Sequence, residues 1–217
     1  MLSHSALTPL HVALHKVQKR IAIVFSILGD WAAFIGAVLI LGLGTSWYMI
    51  DVGTPLTTIR QGPWIGWTSG GRADADPYTR AHFTRLGSLQ LSGENLITYV
   101  AHTDSDGRRL HSSCDYSVEG REPGTSWWSI TVFNDRGELI ANPAQRYAFT
   151  SQTIAIRPDG TYVVTLARDA RPGNWLPTGG AGRLALTLTT IDSTTPVLVK
   201  SGAAQKPLPM IRRIQCR

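Results

Sequence analysis

Apolar and polar positions follow two different rhythms along this chain, and the change comes near residue 50. From Ile21 to Ile50 the sequence IAIVFSILGDWAAFIGAVLILGLGTSWYMI has no polar stripe at helical spacing. Its second part, Trp31 to Ile50, is twenty residues without a charge. At about 1.5 Å per residue that part reaches roughly 30 Å, the thickness of a bilayer's hydrocarbon core. The pattern predicts a single transmembrane helix within 21–50. Trp31 at one end, and Trp47 with Tyr48 at the other, are the expected membrane-interface residues, because amphipathic rings prefer the headgroup level. Asp30 is expected at the cytoplasmic edge, since a carboxylate at the bilayer centre costs about 2.5–3.5 kcal/mol.

Beyond Gly87 the period is two. ENLITYVAH sets Leu96, Thr98, Val100 and His102 on one face and Ile97, Tyr99 and Ala101 on the other. TDSDG turns the chain, and RRLHSSCDYSVEG returns it with Leu110, Ser112, Cys114, Tyr116 and Val118 in register. SWWSITVF and RLALTLTTI alternate in the same way, and TIAIRPDGTYVVTLA predicts a hairpin about Pro158-Asp159-Gly160. Ahead of these strands lies loop chemistry and one short helix over Tyr78–Leu86, with Asp76 as N-cap and Pro77 at the first helical position.

Short strands punctuated by Gly, Pro and Asp predict a mainly β chain: an antiparallel sandwich or jelly-roll-like domain with one short helix, preceded by the single transmembrane helix. The expected organisation is a cytoplasmic tail (1–20), a signal anchor (21–50), an exported β-domain (51–192) and a basic C-terminal tail (193–217) that loses the alternation and reads as loose.

Net charge is +6, yet its distribution argues against nucleic acid as a partner. Residues 51–192 hold 13 arginines, no lysine and 14 acids, so the predicted domain is nearly neutral rather than basic. The excess lies in Lys16, Lys19 and Arg20 before the apolar run, and in Lys200, Lys206, Arg212, Arg213 and Arg217 after the last strand. Basic residues before the span place the N-terminus in the cytoplasm and the C-terminal domain in the periplasm. The apolar run exceeds the 7–15 residues of a signal peptide's core and lacks a small-residue cleavage site, so it is expected to be retained. Cys114 and Cys216 are permitted to pair in such a compartment. The expectation is that Cys114 is simply a small buried residue and Cys216 a tail thiol.

Recognised catalytic spacing is absent: no Gly-x-Ser-x-Gly, no His-Glu-x-x-His, no phosphate-binding glycine loop and no Cys-x-x-Cys. His82, His102 and His111 lack metal-ligand spacing, so no metal and no cofactor are expected. Asp104, Asp106 and Gly107 are read as turn chemistry rather than a calcium loop. RPGNWLPTGG leaves two roles for Trp175. It folds inward and plugs one open end of the sandwich, with Asn174 bonding the loop backbone, or Arg146, Tyr147, Asn174 and Trp175 face a ligand. The plug is the expected role.

SWWSITVFNDRGELIANPAQRYAFTS, DGTYVVTLA, PGNWLP and RLALTLTTID together resemble the family catalogued as domain of unknown function 1214. The matching features are Trp127 and Trp128, Asn142-Pro143, Arg146-Tyr147, Asp159-Gly160 and Asn174 to Pro177. The resemblance implies a jelly-roll-like domain, here in a stand-alone, membrane-anchored member without the domain 1254 that accompanies it in longer relatives. Family members often end in a Leu-Arg-Leu-Tyr strand; LALTLTTID lacks that Arg and Tyr, so a site built on them is altered here.

The expected function is a cell-envelope accessory module of the bacterial inner membrane that binds a glycan, lipid or protein through one end of the sandwich. The alternatives are a small hydrolase-like envelope enzyme with its site near Arg146 and Trp175, and a subunit whose span pairs through Gly36, Gly42 and Gly44.

Overall fold

The computed structural model describes residues 8–87, 96–191 and 207–217. The chain divides into two compact units, Met1–Asp51 and Val52–Arg217. Within the first, α1 (Thr8–Asp51) is one continuous helix. It begins well before the expected anchor, so Lys19, Arg20 and Asp30 are all helical. Its stretch Ile23–Asp51 is long and apolar enough to cross a membrane, a length and composition that a span and a signal sequence share. Trp31, Trp47 and Tyr48 are exposed on it. Thr45 donates to the Leu41 carbonyl at 2.7 Å and Ser26 to that of Ile23 at 2.8 Å, so these hydroxyls are satisfied inside the helix.

The second unit is built on two sheets. The larger runs in the order β1 (Thr58–Gln61), β2 (Trp64–Trp67), β3 (Leu96–Ala101), β9 (Leu184–Ile191), β5 (Trp127–Asn134), β6 (Ala148–Thr150). The smaller runs β10 (Met210–Cys216), β4 (Cys114–Arg121), β7 (Thr161–Ala167), β8 (Asn174–Pro177). The mainly β prediction holds, and the alternation explains why. Trp128, Ile130 and Val132 on β5 are buried while their neighbours are partly exposed, and β7 repeats this with Tyr162, Val164 and Leu166. One core joins both sheets: Trp128 stacks on Tyr162 with ring centroids 4.8 Å apart, beside Leu186, Leu176 and Ile211.

The short helix α2 (Pro77–Leu86) forms as read. Asp76 Oδ1 accepts the N–H groups of Tyr78 and Thr79, both at 3.0 Å, and Gly87 closes the other end at φ 61°. Burial raises the Asp76 carboxyl, but bonds from the Thr79 hydroxyl and N–H, Ser69 and Tyr78 outweigh it and hold it below the usual carboxylate range.

Five expectations fail here. The TDSDG turn forms, with Asp104 N–H bonded to Arg108 O at 2.8 Å, but β3 and β4 enter different sheets, so the hairpin ends at the turn. The Asp159-Gly160 turn also forms, yet only its second arm is a strand. The segment 58–67, read as loop, is the β1–β2 hairpin, whose four-residue strands are too short to show a period. Gly66 is required there, since a Cβ would lie 2.8 Å from the Tyr99 ring on the neighbouring strand. Finally, part of the expected tail is β10, paired antiparallel with β4; residues 193–206 lie outside the described residues. Ile211 is fully buried, Trp64 Nε1 donates to Pro209 O at 2.7 Å, and Cys216 is disulfide-bonded to Cys114, against the expectation of free thiols.

Candidate functional site

Asn142, Arg146, Phe149 and Trp175 form one cluster. Asn142 closes a tight loop: its Oδ1 accepts the Arg146 N–H at 3.0 Å, and its Nδ2 donates to the Arg146 and Ile140 carbonyls at 3.1 and 3.0 Å. Between them Gln145 sits at φ 48°, the left-handed region that a non-glycine residue enters at a cost. This loop carries Arg146 to an exposed position, where its guanidinium carbon lies 5.7 Å from the Phe149 ring centroid and 5.9 Å from that of Trp175. Arg146 Nη1 also donates to the Trp175 carbonyl at 3.4 Å. Among the described residues no carboxylate pairs with it.

Trp175 is not an inward plug. β8 runs parallel to β7 with Trp175 opposite Thr165, whereas Leu176, opposite Leu166, enters the core. Because successive strand side chains alternate, Trp175 stands on the outer face of the smaller sheet, half-buried, with its indole N–H bonded to Ala167 O at 3.0 Å. The parallel pairing also departs from the all-antiparallel expectation.

Asn174 bonds the backbone as read. It is buried, accepting Ala155 N–H at 2.8 Å and donating to the carbonyls of Ala155 and Val163 at 2.9 and 3.1 Å. Tyr147 is half-buried and makes no ring contact with Trp175 among the described residues. The structure therefore joins Arg146 to Trp175, gives Asn174 to the scaffold and leaves Tyr147 apart. Phe149 and Asn142 complete the cluster. Their signal, an Asn-Pro turn followed by an Arg and an aromatic strand, was present in the sequence but carried no distance.

A second polar seam runs along β10. Asp104, 1% exposed, faces Arg213 Nη2 at 3.2 Å, while its Oδ1 holds the turn by accepting from Asp106 and Arg108 N–H. Turn chemistry thus accounts for one of its oxygens only. Asp115 accepts from Arg171 at 2.6 Å and Gln215 at 3.2 Å, and Arg217 pairs with Asp169. The three histidines stand apart: His82 stacks on Trp67 at 4.1 Å, His111 bonds Ser113, and His102 is exposed. No three His, Cys, Asp or Glu side chains among the described residues are grouped to hold a metal.

Residues 95–195 match the family model described as "Protein of unknown function (DUF1214)". A crystal structure of a Vibrio parahaemolyticus protein is similar, with TM-score 0.52 and 23% identity over 65% of this chain and 36% of that one. The crystal structure of an uncharacterized protein from Burkholderia cenocepacia shares 19% identity at TM-score 0.41, over 59% of this chain and 32% of that one. The chain thus spans about a third of the length of either. No curated protein matches. The Vibrio likeness supports the fold, and the segment 95–195 is similar to the family of domain of unknown function 1214.

Proposed function

We propose that the chain is a membrane-tethered envelope module whose exported domain binds an acidic saccharide on the outer face of its smaller sheet. The observation that carries this is the exposed Arg146 guanidinium, held beside Phe149 and Trp175 with no carboxylate partner among the described residues. An indole face accepts the apolar face of a sugar ring, and a guanidinium accepts a carboxylate or phosphate on it through paired hydrogen bonds. Envelope glycans and glycolipid head groups both present that chemistry.

Two observations support the setting. Ile23–Asp51 is apolar enough to remain in a bilayer with the basic Lys19 and Arg20 on its N-terminal side, which favours a cytoplasmic N-terminus and a periplasmic domain. The Cys114–Cys216 disulfide suits an oxidising compartment. The test is titration of the purified chain in detergent with acidic and neutral envelope saccharides, followed by tryptophan fluorescence. Acidic saccharides are expected to bind and neutral ones to bind at least tenfold more weakly, the loss of one charge-assisted pair. Equal binding by Arg146→Ala would refute the assignment.

A further inference from the structure

The Cys114–Cys216 disulfide has an asymmetric setting. Cys114 is 6% exposed at the start of β4, whereas Cys216 is exposed near the end of β10, an edge strand open to solvent on one side. Beside the buried sulfur stands a prepared hydroxyl. Ser113 Oγ lies 3.8 Å from Cys114 Sγ and 2.8 Å from His111 Nδ1, and the Ser113 N–H also donates to that nitrogen at 3.1 Å. His111 thereby fixes Ser113 against the disulfide.

The strand that carries Cys216 does not depend on this bond alone. Ile211 is buried in the core, its N–H donates to Ser105 Oγ at 2.9 Å, Arg213 faces Asp104, and the Arg217 N–H donates to Ser113 O at 3.0 Å. The carboxylate next to Cys114, Asp115, is already paired with Arg171 and Gln215. Opening the disulfide therefore leaves β10 docked.

We propose that Cys114–Cys216 is a thiol-exchange site, entered at Cys216 and worked by a protein dithiol. Exchange proceeds by thiolate attack on one sulfur, and the more accessible sulfur is the one attacked. A thiolate of the dithiol bonds to Cys216 Sγ, the disulfide bond breaks, and its electron pair leaves on Cys114. The Ser113 hydroxyl turns its hydrogen from His111 Nδ1 to that sulfur, stabilising the thiolate until water protonates it. The second thiolate of the dithiol then attacks its own sulfur in the mixed disulfide, and the electron pair passes to Cys216, which takes a proton. The chain gains two electrons and two protons, and the dithiol becomes a disulfide.

The test uses the full chain in detergent with glutathione as a monothiol probe, acid-quenched at early times to trap the mixed disulfide before a second exchange, followed by peptide mapping. Glutathione is expected on Cys216 with a free thiol at Cys114, at a rate proportional to glutathione concentration. Ser113→Ala is expected to react about tenfold more slowly, the loss of one hydrogen bond to a charged sulfur, and Ser113→Thr to restore the rate. Glutathione on Cys114, a rate independent of its concentration, or an unslowed Ser113→Ala each overturns the proposal. If Ser113→Ala does not fold, mapping and concentration dependence on the unaltered chain decide it.

Discussion

Trp128 and Tyr162 lie face to face between the two sheets, their rings inclined by 23°. Both are essentially buried, so their contact joins β5 to β7 across the middle of the core. Trp128→Ala opens a cavity there and is expected to cost about 3–5 kcal/mol in urea unfolding. Trp128→Phe is expected to cost far less than this. It keeps most of the ring while removing a buried indole N–H that finds no partner among the described residues.

Burial also pushes the Tyr162 phenol well above its ordinary value. A group whose pKa is raised on folding contributes stability that is complete below its unfolded value of about 10 and is lost as pH rises beyond it. Stability should therefore fall in the alkaline range, and Tyr162→Phe should flatten that limb. Unfolding at a series of alkaline pH values, with tyrosinate absorbance as the probe, checks both.

At Asp76 the sign is reversed. The carboxyl is held below its usual range, so its contribution is present above the unfolded value of about 3.9 and is lost as pH falls through the folded one. Asp76→Ala is expected to cost about 1–2 kcal/mol at neutral pH. The difference from the parent chain should vanish on acidification, as read by denaturant midpoints at each pH.

The sequence announces what local pattern can carry and hides what distance decides. β5, β7 and β9 were legible because burial on one face writes an alternation into the chain, and α2 because Asp76-Pro77 is a local signal. β10 was not, because MIRRIQC places two arginines mid-strand, and only their partners explain them: Asp104 lies 109 residues away from Arg213. The same limit applies at the candidate site. Asn174-Trp175 reads as a turn, and nothing in it reveals that parallel pairing with β7 sends Asn174 inward and Trp175 out.

The disulfide closes a separation of 102 residues. Cross-linking a loop of that length restricts the unfolded chain, and its removal is expected to cost about 2–5 kcal/mol. Cys216→Ser should therefore lower the denaturant midpoint while leaving circular dichroism of the folded state unchanged. Loss of the β signal at neutral pH without denaturant would mean that β10 depends on the bond.

Asp104 and Arg213 make the sharpest stability test, because Asp104 is 1% exposed and Arg213's side chain is 23% exposed. Removing only the cation leaves a buried carboxylate without its counter-charge, so Arg213→Met is expected to cost about 3–5 kcal/mol. Asp104→Asn keeps an acceptor for the Asp106 and Arg108 N–H groups and removes the charge. Added to Arg213→Met, it should recover a large part of the loss. A double-mutant cycle by urea unfolding measures that coupling; strictly additive single effects would show that the two charges do not stabilise one another.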